Sequence, residues 1–230
     1  MSLAIELDGP RFGRAAGEAR KLVVLLHGLG ADGNDLIALA PLFAQVLPDA
    51  AFVSPHAPFP CDMAPFGRQW FSFQERDAAA VLGGVRAAAP HLDAFIDREL
   101  ARHGLSDGRL ALVGFSQGAM MALYVGLRRA RPCAAIVGYS GMLIAPELLP
   151  AEIRSRPPVL LVHGDADEIV AFPAMAAAET ALAANGVAVR AEARPGLGHG
   201  IDEVGIGLGA ALLEKCLYPE RRGATAGVKP

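Results

Sequence analysis

The chain has 230 residues, 53% of them hydrophobic and 20% charged, with a formal net charge of −3. A chain of this length buries roughly 70–75% of the surface its unfolded form exposes, so it needs neither disulfide nor metal to fold. The composition excludes a disordered chain, and nothing in the charge balance points to a nucleic-acid partner, which needs a basic face.

Residues 1–8 lack a basic leader and a long apolar stretch, so no signal peptide is expected. Residues 10–16 read as an antiparallel strand or hairpin. Leu22-Val23-Val24-Leu25-Leu26 is a continuous apolar run, as a strand buried on both faces requires. A helix is expected over residues 35–46, with Asn34 or Asp35 as its cap. Ala51-Phe52-Val53-Ser54 reads as the next strand. Val85, Leu92, Phe95, Ile96 and Leu100 then form a helical stripe ending near Gly104, with Pro90 expected to kink or restart it.

Strands follow at residues 110–113, 134–137, 159–162 and 187–191. Between and after them come helical patterns over residues 117–129, 172–185 and 202–217. Residues 110–127 carry no charge for 18 positions. Gly114, Ser116, Gln117 and Gly118 break that run into two short elements, so a membrane span is not expected and stable membrane insertion with it. Strands alternating with helices predict an α/β fold, a mostly parallel twisted sheet with helices on both faces. One domain over residues 1–218 is expected, with a frayed tail over 219–230. The three cysteines, Cys61, Cys133 and Cys216, are odd in number and widely spaced. They suit a reducing, cytoplasmic setting better than a disulfide framework or a zinc site.

In such a sheet the chemistry gathers at the carboxyl ends of the strands. After the 110–113 strand stands Gly114-Phe115-Ser116-Gln117-Gly118, a G-x-S-x-G. A sharp strand-to-helix turn there strains the serine backbone and lifts its hydroxyl clear of the sheet. The competing reading is an ordinary turn with a capping serine. A serine hydroxyl needs a base. Of six histidines, His91 and His103 read as solvent-facing, His56 sits in a proline-rich loop, and His27 and His163 read as structural at strand ends. His199, in a glycine-rich loop after the last strand, can reach back to the serine. The orienting carboxylate is expected from His163-Gly164-Asp165-Ala166-Asp167-Glu168. Asp167 is the choice, with Asp165 organising the turn and Glu168 facing solvent.

An acyl-transfer site also needs two N–H donors for the developing oxyanion. Gln117 supplies one. The turn His27-Gly28-Leu29-Gly30 supplies the other, with Leu29 the choice. Gly28, Gly30 and Gly33 match a dinucleotide fingerprint by spacing, without the acidic ribose partner that such a site needs. Phe59, Met63, Phe66, Trp70, Phe71 and Phe73 cluster in one segment, read either as an apolar acyl-binding wall or as core packing. Trp70, the only tryptophan, is the expected substrate contact, and Leu29 lines the same pocket.

Taken together, Leu26-His27-Gly28-Leu29-Gly30, Ser54-Pro55-His56-Ala57-Pro58, Gln69-Trp70-Phe71, Gly114-Phe115-Ser116-Gln117-Gly118, His163-Gly164-Asp165-Ala166-Asp167 and Gly198-His199 resemble the phospholipase/carboxylesterase family of α/β-hydrolases. The matches run in order from about residue 22 to 200. The resemblance implies an α/β-hydrolase fold without a large lid domain. It implies a serine esterase with Ser116, Asp167 and His199 as its triad, Leu29 and Gln117 as oxyanion donors, and no cofactor or metal. Its relatives include acyl-protein thioesterases and lysophospholipases, and homodimers occur among them. The expected partner is a small-molecule ester or lipid-like acyl substrate, of short to medium chain. A thioesterase or lysophospholipase is the first alternative, and a non-catalytic binding module on the same fold the second.

Overall fold

The computed structural model describes residues 5–220. Seven strands form the central sheet: β1 (Arg11–Gly13), β2 (Lys21–Leu26), β3 (Ala50–Val53), β6 (Leu110–Phe115), β7 (Ala135–Tyr139), β8 (Val159–Gly164) and β9 (Val189–Arg194). Their order is β1-β3-β2-β6-β7-β8-β9. Only the β1–β3 pair is antiparallel, as expected for the 10–16 segment. Two short strands, β4 (Phe59–Pro60) and β5 (Arg68–Gln69), make a separate hairpin.

β2 lies inside the sheet beside the central β6, paired to β3 on one side and β6 on the other, with Leu22 opposite Leu110 and Leu26 opposite Gly114. Its apolar run serves both faces because successive side chains alternate. Leu22, Val24 and Leu26 enter one core, with α3 (Ala78–His103), α4 (Gln117–Gly126) and α6 (Pro173–Ala184). Val23 and Leu25 enter the other, with α1 (Gly33–Leu36), α2 (Ala40–Ala44) and α7 (Glu203–Leu217). Each such side chain contributes roughly 1.5–3 kcal/mol by burial. A one-residue slip of β2 would exchange the two sets and mismatch both cores. A four-residue helix, α5 (Leu149–Glu152), follows β7.

Three expectations change. The helix expected over 35–46 is two short helices joined by a 3₁₀ turn, Ile37–Leu39. Pro41 lacks an N–H and is suited to the first turn of α2 rather than to the interior of one long helix. The cap of α1 is Asp32, whose carboxylate accepts the Asn34 N–H at 2.8 Å. The 26-residue α3 runs through Pro90 without a break. Pro90 is exposed, so the Arg86 carbonyl that loses its helical partner can turn to water. Third, His103 is buried at 8% exposure, and His91 is half-buried with Nδ1 accepting the Ile5 N–H. The tail expected over 219–230 lies outside the described residues beyond Glu220.

Candidate active site

β6 ends in an abrupt turn. Ser116 has φ 54° and ψ −118°, a conformation that costs a non-glycine residue about 1–3 kcal/mol. The turn persists because its surroundings fix it. The Ser116 N–H donates to Tyr139 O at 2.9 Å, and its carbonyl already accepts from Met120 at 3.1 Å as α4 begins. Gly118 is needed for close approach, since a Cβ there would lie 1.8 Å from the Leu26 carbonyl oxygen. Ser116 itself is 8% exposed. The strain expected from the G-x-S-x-G pattern is therefore present at the serine.

β8 leads into the acidic turn. Asp167 Oδ1 accepts the N–H groups of Ile169 and Val170 at 2.9 and 3.0 Å. Asp167 Oδ2 lies 2.8 Å from His199 Nδ1. The Asp167 side chain is wholly buried, whereas His199 keeps some exposure. Burial alone would raise the Asp167 pKa. The His199 hydrogen bond and the two backbone N–H groups outweigh it and hold the carboxyl below its usual range. A carboxylate can only accept, so Nδ1 of His199 carries the hydrogen and the neutral ring leaves Nε2 as its lone pair.

The two loops that carry these groups are stitched together. Asp165 accepts the Gly196 N–H at 2.7 Å, and Ala166 N–H donates to Leu197 O at 3.0 Å. Gly164 sits under that crossing, where a Cβ would come 2.1 Å from the Leu197 oxygen. The His199 ring packs on Phe115 with centroids 4.9 Å apart, one residue before Ser116. Ser140 Oγ donates to Gly200 O at 3.4 Å and holds the far side of the loop. Thus Ser116, Asp167 and His199 come from the turns after β6 and β8 and the loop before α7, at the carboxyl edge of the sheet.

The turn after β2 faces the elbow. Gly30 N–H donates to Arg68 O at 2.9 Å and Arg68 N–H to Ala31 O at 2.8 Å, so this turn is zipped to β5. Leu29 takes part in neither bond. On the other side Gln117 is fully buried. Its side chain accepts the Trp70 N–H at 2.9 Å and donates to Phe71 O at 2.6 Å. Trp70 differs from its expectation. It has no exposed surface, and its indole N–H donates to His27 O at 3.0 Å. Trp70 therefore supports the turn from beneath and does not line a pocket. The aromatic segment divides: Trp70 and Phe71 are core, while Met63 and Phe66 point outward, Phe66 with 74% exposure.

His27 and His163 do hold structure. His27 Nε2 accepts the Ala57 N–H at 3.0 Å, and Nδ1 donates to Gly28 O at 2.7 Å. Two features are not evident from the sequence. His163 also reaches Asp167, and Ile169, beside it, is exposed. The proximity of His163 to Asp167 in the chain is a usable signal, but only the turn decides whether the two side chains meet. Among the described residues no group of three or more His, Cys, Asp or Glu is placed to hold a metal ion.

Comparison with known proteins settles the family. The family model described as Phospholipase/Carboxylesterase matches residues 9–217. The chain belongs to the phospholipase/carboxylesterase family. It is a hydrolase of the carboxylesterase type on the α/β-hydrolase fold. The crystal structure of esterase PE8 superposes with a TM-score of 0.88 at 45% identity, covering 93% of this chain and all of that one. Esterase YpfH of Escherichia coli is 29% identical, covering 80% of this chain and 78% of that protein. Acyl-protein thioesterase 1 of Neurospora crassa is 28% identical, covering 77% of this chain and 79% of that protein. Among the described residues no helix of this family member is long and apolar enough to cross a membrane.

Proposed function

We propose that this protein cleaves carboxylic esters through an acyl-enzyme on Ser116. One observation carries the reading: the 2.8 Å bond between Asp167 and His199 stands beside a serine held in a strained turn. The Ser116 oxygen attacks the acyl carbonyl and its proton passes to His199 Nε2. The carbonyl oxygen becomes an oxyanion, received by the N–H groups of Leu29 and Gln117. His199 then gives the proton to the leaving oxygen, the C–O bond breaks and the alcohol departs. Water repeats the sequence on the acyl-enzyme, yielding the acid and restoring the serine. Asp167 keeps the imidazole in the tautomer this needs and stabilises its cation.

Short to medium acyl chains suit the site best. What supports this is the solid packing of Trp70 and Phe71, which fills the space beneath the elbow. Exposed Phe66 and Ile169 favour a second reading, hydrolysis of longer acyl groups, including thioesters or lysophospholipids. We also read residues 1–218 as one domain acting in the cytoplasm, supported by the odd number and wide spacing of its three cysteines. The test is a fluorophosphonate probe followed by p-nitrophenyl esters from acetyl to palmitoyl. Labelling confined to Ser116 and a peak at short chains are expected. An unlabelled Ser116, with turnover unchanged in Ser116→Ala, overturns the mechanism. A peak at long chains, with matched oxygen and sulfur esters hydrolysed alike, moves the second reading to the front.

A further inference from the structure

Asp167 Oδ2 faces two imidazoles. His199 Nδ1 lies 2.8 Å away and His163 Nε2 lies 3.1 Å away. The same His163 Nε2 is 2.8 Å from the Val170 carbonyl oxygen. Both neighbours of that nitrogen can only accept, so it carries a hydrogen and shares it between them. His163 is 2% exposed, and Phe172, just before α6, closes over it edge-on with centroids 6.1 Å apart. Water is kept from taking its place. The residue stands on β8 in register with Ala193 of β9, which makes it a rigid mount.

The carboxylate of Asp167 thus has four donors. The two backbone N–H groups fall on Oδ1, and the two imidazoles meet at Oδ2, the oxygen that faces Nδ1 of His199. We infer that His163 is a positioning residue for the ester-cleaving reaction, acting through Asp167 to hold Oδ2 in line with Nδ1 of His199. The inference rests on the reading of Ser116, Asp167 and His199 as the catalytic group. His163 also takes part of the charge on Oδ2, which tempers how strongly Asp167 stabilises the His199 cation. The titratable groups against Asp167 are these two imidazoles. Asp165 turns away to Gly196, Glu168 is exposed, and Phe172 brings no charge.

The experiment compares His163→Leu and His163→Gln with wild type on one p-nitrophenyl ester, across pH, with fold checked by circular dichroism. The leucine variant is expected to lose about tenfold or more in kcat with KM little changed, as for a misaimed catalytic group. The acid limb of its kcat/KM profile should move to higher pH, because the uncompensated carboxylate holds the imidazolium more tightly. Glutamine, which keeps an N–H near the same place, should restore most of both. A leucine variant with wild-type kcat and wild-type acid limb overturns the inference. Nitrogen-15 NMR of the wild-type rings tests it without any variant. Hydrogen on His163 Nε2 is expected, and hydrogen on Nδ1 alone overturns it even where the variants fail to fold. Fluorophosphonate labelling of wild-type Ser116 separates the two failures. A labelled serine with indifferent His163 variants removes this inference alone, whereas an unlabelled serine removes the catalytic reading and this inference with it.

Discussion

The side-chain oxygen of Gln117 accepts the backbone N–H of Trp70 at 2.9 Å, joining the residue after the candidate nucleophile to a loop 47 positions earlier in the chain. The same residue's indole reaches His27 O, so one tryptophan braces both turns that carry the proposed oxyanion donors. Gln117→Ala removes the brace while keeping the backbone N–H. It is expected to lower kcat by roughly 10–100-fold, in proportion to misplacement of the donors, with little change in KM. Trp70→Phe leaves the His27 carbonyl short of a donor and should cost about 1–3 kcal/mol in denaturant unfolding. A Trp70→Phe protein with unchanged stability and unchanged kcat would show that the indole braces nothing.

Ser116 combines strain with its proposed chemistry, and the two separate by substitution. Ser116→Ala should lower kcat by roughly 10⁶, the order seen when a triad nucleophile is lost. Ser116→Gly should be equally inactive yet more stable by about 1 kcal/mol, because the relief of the strained φ exceeds glycine's greater cost in unfolded-chain entropy. Thermal melts of the two variants side by side decide it. A glycine variant that melts below the alanine variant refutes the strain argument.

Asp167→Asn keeps the shape of the turn and removes the charge. The amide donates where the carboxylate accepted, so His199 is driven toward the wrong tautomer, and kcat should fall by roughly 10⁴. KM should hold within a few-fold. Nearly full activity in steady-state assays would mean that another group orients the imidazole.

Burial holds the pKa of His27 below its usual value, against the pull of the Gly28 carbonyl. It lowers that of His103 likewise, aided by Arg102 and Arg11 and opposed by Glu99. The unfolded rings take up protons near pH 6.5 while the folded ones stay neutral. The unfolded state therefore binds more protons below that point. Their stabilisation is complete above about pH 6.5 and is lost as pH falls toward the folded values. Asp167 behaves in the same sense lower down. Its depressed folded pKa adds stability above about pH 4 that disappears at stronger acid. Urea midpoints should thus decline between pH 7 and 5. His103→Leu, which also removes an unpartnered buried ring nitrogen, should flatten part of that decline. An equally steep decline in the variant assigns the effect elsewhere.

Arg129, just beyond α4, binds the carboxylates of Asp93, Asp97 and Asp107 and is buried itself. The three acids raise its pKa against the cost of burial. Arg129→Leu leaves them facing one another and should cost on the order of 3 kcal/mol in unfolding free energy. Catalysis should be intact, since the cluster ties α3 to the end of α4 away from the elbow. A loss of kcat without a loss of stability would contradict that separation.

Features set by local chemistry are legible in the sequence alone. The apolar run of β2 must be buried on both faces whatever its neighbours. Ser116 between Gly114 and Gly118 needs a backbone that only close approach explains, and chain order puts Asp167 and His199 at strand ends beyond it. What the tertiary structure decided were the directions of side chains whose partners lie far off. Trp70 reads the same in an acyl wall or a core, and Gln117 and His27 make it core. His103 lies on a charge-rich stretch of helix, yet it is buried, one turn from Glu99, which Arg11 reaches from 88 positions away. His163 is four residues from Asp167, but only the turn closed by the Ile169 and Val170 N–H groups brings its ring to the carboxylate. Local sequence determines backbone conformation and periodicity, because these depend on interactions within a few residues. Where a side chain points depends on what long-range packing leaves for it to touch.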